Sequence, residues 1–142
     1  MIRLAPALLL LLSACEKQTT APLLISDIII TDAVSGQPMS AGFMTLRNNS
    51  NETIEVTAVT SRQFNTVAIH ESSIDDGIAR MRRLETLTIA PKSSVALQPG
   101  GIHLMLMRPT TADKGNDEVS LSFYRGETLI LNVSTQISRR TQ

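Results

Sequence analysis

The chain has 142 residues, 42% of them hydrophobic. That is enough for one domain with a sizeable core and too little for two of ordinary size. Aromatic residues make up only 3%, so aliphatic side chains must fill that core, and 13 basic residues balance 13 acidic ones. Zero net charge excludes a dedicated nucleic-acid binder, which draws its affinity from a net basic face. A single Cys excludes a disulfide framework, a CxxC redox site and a Cys-based zinc finger.

In chain order, the first segment is Met1-Ile2-Arg3, then the apolar run Leu4 to Leu12, then Ser13-Ala14-Cys15. A basic start, a short apolar run and small residues make a secretory signal over residues 1–14. The run is too short to stay in a bilayer as a helix, which takes roughly 20 residues. Leu12-Ser13-Ala14-Cys15 resembles a bacterial lipobox. The resemblance implies cleavage before Cys15 and acylation of its thiol, hence a membrane anchor. Glu16, where the sorting pattern has Asp for inner-membrane retention, implies the outer membrane rather than the inner. Residues 15–22 then read as a polar tether, and 23–138 as the folded domain.

From Leu23 onward, short apolar or alternating runs are broken by turn residues. The runs are Leu23–Ile30, Ala41–Leu46, Thr53–Val59, Thr66–His70, Ile78–Leu84, Thr86–Ile89, Ser94–Leu97, Ile102–Met107, Glu118–Tyr124 and Thr128–Ile137. Between them stand turn signals such as Asn48-Asn49-Ser50-Asn51, Asp75-Asp76-Gly77 and Pro99-Gly100-Gly101. In the last run Leu129, Leu131, Val133 and Ile137 share one face by period two, the mark of a half-buried strand. Many short strands at this spacing predict an all-β sandwich or barrel.

The usual catalytic signatures (GxGxxG, P-loop, HExxH, GxSxG, a Cys nucleophile) are absent, and Asp75-Asp76 before Gly77 reads as turn chemistry. What remains is the placing of two His and most of the Met. Ten residues separate His70 from Met81, twenty-one separate Met81 from His103, and one separates His103 from Met105. Taken singly, a strand His is an ordinary surface or hydrogen-bonded group, and a strand Met is core filler. As a set they are soft: thioether sulfur suits Cu(I) and is a poor ligand for zinc, magnesium or calcium, while imidazole accepts copper in either oxidation state. Two His and two Met therefore favour Cu(I) and tolerate Cu(II). Only the imidazoles need to be neutral for binding.

The spacing His70-X10-Met81-X21-His103-X-Met105 resembles the motif H(M)X10MX21HXM of the periplasmic copper chaperones known as PCu(A)C. Ala41-Gly42-Phe43-Met44-Thr45-Leu46-Arg47-Asn48, Gly77 to Arg82 and Pro99 to Met107 add to the likeness, which spans about Ile25 to Ile137. It implies a cupredoxin-like Greek-key β-sandwich with His70, Met81, His103 and Met105 as metal ligands near one end. It further implies Cu(I) capture on the periplasmic side and delivery to apo-targets. These would be the copper subunit of cytochrome oxidase or its assembly factors. A monomeric carrier is expected, with no catalysis of its own. Glu71 stands where relatives often carry a second Met, a departure that favours a harder ion or Cu(II) nearby.

Two other readings compete. A blue-copper electron carrier needs a Cys thiolate, which the lipobox already claims. In a purely structural envelope lipoprotein the His and Met would be incidental. Met107, on the strand face of His103 and Met105, is expected in core packing or a hydrophobic lip, with shielding of the metal or substitution as a ligand as the alternative. Arg80, Arg82 and Arg83 around Met81 could dock an acidic partner or simply charge a strand edge.

Overall fold

The computed structural model describes residues 21–31, 38–110 and 117–138. The signal segment, Cys15 and most of the tether lie outside the described residues. Eleven strands and no helix make up the regular structure among the described residues: β1 (Leu23–Thr31), β2 (Met39–Asn48), β3 (Ile54–Val56), β4 (Ala58–Thr60), β5 (Phe64–Asp75), β6 (Ile78–Leu84), β7 (Leu87–Ile89), β8 (Ser94–Leu97), β9 (Ile102–Pro109), β10 (Glu118–Arg125) and β11 (Thr128–Ser138). The fold is all-β, as the residue pattern predicts, and a cupredoxin-like Greek-key sandwich, as the family resemblance implies.

One sheet runs β4-β10-β11-β1-β2-β9-β5-β6, with β8 also paired to β2, and β3 pairs β7 apart from it. The ladders are antiparallel except β1 with β11. Alternation decides what is inside. On β2, Ser40, Gly42, Met44, Leu46 and Asn48 are buried while Met39, Ala41, Phe43 and Thr45 are only partly so. Leu23, Ile30, Leu46, Ile89, Leu104, Leu106, Val119, Leu121 and Phe123 form the largely aliphatic centre. Gly42 is the thin spot that lets β1, β2 and β9 close up: a Cβ there would stand 3.1 Å from Ile30 and 3.2 Å from Leu104.

Four local departures from the expected pattern have physical causes. The run Thr53–Val59 is two strands, because Thr57 leaves one sheet for the other. Its N–H donates to the Tyr124 carbonyl at 2.9 Å, and β3 pairs β7 while β4 pairs β10. β5 does not end at His70 but continues to Asp75, where Asp76 and Gly77, both at positive φ, form the two-residue hairpin turn into β6. Leu129 is 51% exposed rather than facing the core, because the β10–β11 register shifts between Phe123 and Tyr124. In β1 a bulge between Ser26 and Ile29, with Asp27 at φ 55°, turns Ile29 outward beside Phe43.

Candidate metal site

The alternation that buries Leu104 and Leu106 sends His103, Met105 and Met107 to the outer face of β9. On the neighbouring strand β5 the register sets His70 directly opposite His103, Ala68 opposite Met105 and Thr66 opposite Met107. β6 adds Arg83 opposite His70 and Met81 opposite Ser72. His70, Met81, His103 and Met105 thus lie on one face of three adjacent strands, although the first and last are distant along the chain. Met81, diagonal to His70, stands at the rim and is 55% exposed.

The two imidazoles face each other across the ladder, with ring centroids 6.2 Å apart at 66°. Phe43 lies on the other side of His103, its ring centroid 6.4 Å away. The wall forms where β2 exchanges partners: Met39 to Gly42 pair β9, and Met44 to Arg47 pair β8. The turn between β8 and β9 supplies the next contact. His103 Nδ1 lies 3.0 Å from the Gly101 carbonyl oxygen. A carbonyl only accepts, so Nδ1 carries the proton and Nε2 keeps its lone pair. Gly101 is itself held, its carbonyl accepting from Ser72 N–H at 3.1 Å and its N–H donating to the Gln98 carbonyl at 3.1 Å.

His70 is the complementary case. Its Nδ1 is buried and has no hydrogen-bond partner among the described residues. An unpaired buried nitrogen costs stability unless something binds it. No group of three or more His, Cys, Asp or Glu that could hold an ion exists among the described residues. On the same face, the side chains that could add soft donors to the imidazoles are the thioethers of Met105 and Met81.

Burial, then the neighbouring His103 and Arg83, hold the His70 pKa below the ordinary 6.5. The sign follows. A His with a lowered folded pKa binds fewer protons folded than unfolded, so the apo-domain loses stability as pH falls from 6.5 toward the folded value. In the same window His70 stays neutral and able to ligate. An NMR titration of the metal-free protein is expected to place the His70 midpoint below 6.5, with Arg83→Gln moving it upward. A midpoint at or above 6.5 would contradict the burial argument.

Glu71 does not belong to this face. It projects to the opposite side of β5, where it pairs with Arg82 at 2.5 Å, so it supplies no hard donor beside His70. Arg80 pairs with Asp75 at 3.7 Å and Arg83 with Glu85 at 3.5 Å. All three arginines thus have acidic neighbours within the β5–β6 hairpin region, and such exposed pairs add little stability. Met107 is partly exposed on the outer face, the position of a lip rather than of core packing. Sequence reasoning passes over Met39 and assigns Phe43 no role in the site. The alternation Met39, Ala41, Phe43 is the signal that carries both, but Ser40 interrupts the apolar run and makes Ala41 look like its start.

Among solved structures, the copper-bound PCuAC domain from PmoF2 superposes with a TM-score of 0.61 at 19% identity, covering 85% of this chain and 94% of that one. The solution structure of Cu(I)-DR1885 from Deinococcus radiodurans gives 0.62 at 20% identity, covering 88% and 82%. At these identities the likeness shows a common fold. The uncharacterized protein RP573 of Rickettsia prowazekii (strain Madrid E) is 27% identical over 86 residues, or 60% of this chain. That match spans 48% of RP573, about half its length. The family model that fits is LpqE-like, matched over residues 23–135, which takes in every strand from β1 to β10 and most of β11; the chain belongs to the LpqE-like family.

Proposed function

We propose that this protein is a copper carrier without catalysis of its own, holding Cu(I) through His70, Met81, His103 and Met105. The observation that carries the reading is the imidazole pair. A buried, unpartnered Nδ1 on His70 lies across from a His103 whose Nε2 lone pair is freed by the Gly101 carbonyl. Thioethers stand beside them on the same face, and that donor set selects a soft ion. Cu(II) is the poorer cargo because the set has no anionic ligand. The copper-bound state of the PmoF2 domain and of DR1885, named in those structures, supports the same reading. With no thiolate in the set, the ion remains exchangeable, as delivery requires.

The setting belongs to the same proposal. Cys15, acylated, would tether a monomeric domain to the periplasmic side of the envelope, on the outer membrane. The recipients would be copper-accepting periplasmic proteins such as the cytochrome oxidase copper subunit or its assembly factors. The Cu(I)-loaded protein is expected to hold one tightly bound ion, and X-ray absorption should count two nitrogen and two sulfur neighbours around it. A tight stoichiometry well below one, or a coordination shell without sulfur, would overturn the reading and leave a structural envelope lipoprotein.

A further inference from the structure

The outer face carries more soft donors than the four proposed ligands. Across β2, β9 and β5 the rows are Ala41–Met105–Ala68 and Met39–Met107–Thr66. The Arg108 N–H donates to the Pro38 carbonyl at 3.1 Å, immediately beyond the Met39–Met107 pair. In an antiparallel ladder that makes Met39 and Met107 a non-hydrogen-bonded pair, the closer kind, with Cα atoms about 4.5 Å apart. Their side chains lie on one side of the sheet, both partly exposed. Met105 is flanked on both neighbouring strands by Ala. Small neighbours leave its flexible side chain room to lean toward His103 or toward Met107, each two residues away on the same face.

We propose that Met39 and Met107, with Met105 shared, form a second and weaker subsite for a soft monovalent cation of the Cu(I) class. The inference deepens the copper reading and rests on it. Thioethers carry no charge, so this subsite selects against hard cations and binds less firmly than the imidazole-bearing set. Thr66 closes the row on the β5 side, its hydroxyl accepting from the Arg108 guanidinium, and the row stays open toward Met39. Because Met105 belongs to both sets, an ion can pass between Met39–Met107 and the histidines while always bound to one sulfur. The face then works as a short thioether track, loading or unloading the imidazole site without releasing the ion to water.

The test uses the full chain with Cys15→Ser, which removes the competing thiol, titrated with Ag(I) as a redox-inert probe. The readout is the 13C-labelled methionine methyl signals. The first equivalent is expected to shift Met81 and Met105. A second, at least tenfold weaker, is expected to shift Met39 and Met107, while buried Met44 stays still as an internal control. Met39→Leu with Met107→Leu conserves volume, and it should abolish the second event while leaving the first within twofold. Met39 and Met107 methyls unmoved at two equivalents, or a double variant that still takes a second ion, would overturn the proposal. If Met39, Met105 and Met107 respond but Met81 and the His70 and His103 ring signals do not, the subsite stands and the four-ligand reading falls, so the two failures are distinguishable.

Discussion

Replacing His103 by Ala is expected to weaken Cu(I) binding by at least ~100-fold, the upper end of what loss of a mere outer-shell partner costs at a metal site. His103 is the most firmly held imidazole on the face. It is 7% exposed, packed between Phe43 and His70, and fixed in one tautomer by the Gly101 carbonyl. On the copper-carrier reading its Nε2 needs no reorganisation before binding, so its removal would take away both a ligand and the preorganisation of the site. Met105→Leu keeps shape and loses only sulfur, and it should cost less because a second thioether, Met107, lies on the same face. Competition against a Cu(I) chelator measures both, with thermal melting of the apo-variants to show that the sandwich survives. Wild-type affinity in His103→Ala would mean that the imidazoles do not hold the ion. Equal losses in the two variants would mean that sulfur and imidazole count alike, and His103 would lose its rank as the leading donor.

Much of this arrangement is legible in the residues, and what is not depends on long-range pairing. The runs Ile78–Leu84 and Ser94–Leu97 coincide with β6 and β8, because apolar alternation bounded by Gly and Pro is a local signal. The continuation of β5 through Ser72-Ser73-Ile74-Asp75 is hidden, because those residues are polar or exposed and owe their strand state to pairing with β6. The split at Thr57 is hidden too, since the Tyr124 carbonyl that draws it across is 67 residues away. The site divides the same way. Residue types and spacing, read with the family resemblance, single out His70, Met81, His103 and Met105 as candidates, and their softness points to copper. The apposition of His70 with His103, the Gly101 carbonyl that sets the tautomer and the pairing of Met39 with Met107 are facts of register. A one-residue slip in β9 would send His103 and Met105 inward and bring Leu104 out, so register is held by the core.

Asn48 illustrates the same limit and leads to the largest expected effect on stability. As part of Asn48-Asn49-Ser50-Asn51 it reads as turn punctuation, yet it is fully buried at the end of β2. Its Nδ2 donates to the Glu52 carbonyl at 2.6 Å and the Ile89 carbonyl at 3.0 Å, while Oδ1 accepts from the Ser50 N–H at 2.9 Å and hydroxyl at 2.8 Å. Every hydrogen-bonding position of the amide is used. The side chain ties the β3–β7 pair to the large sheet, since Ile89 ends β7 and Glu52 precedes β3. Asn48→Leu would leave the buried Ile89 carbonyl unsatisfied at about 1–3 kcal/mol, while the part-buried Ser50 and Glu52 groups can turn to water. A loss of about 3 kcal/mol is therefore expected, seen as a fall in Tm on the order of 10 °C. Asn48→Asp should be worse at neutral pH, because a carboxylate oxygen would face the Ile89 and Glu52 carbonyls. Its folded pKa would rise above the unfolded ~3.9, so the penalty grows as pH rises through that window and eases as pH falls. Because Asn48 lies at the end of β2 away from Met39, the folded fraction of either variant should keep its Cu(I) affinity. A pH-independent Asn48→Asp as stable as the parent would refute the tie, and lost copper affinity in folded Asn48→Leu would show that the second sheet reaches the metal face after all.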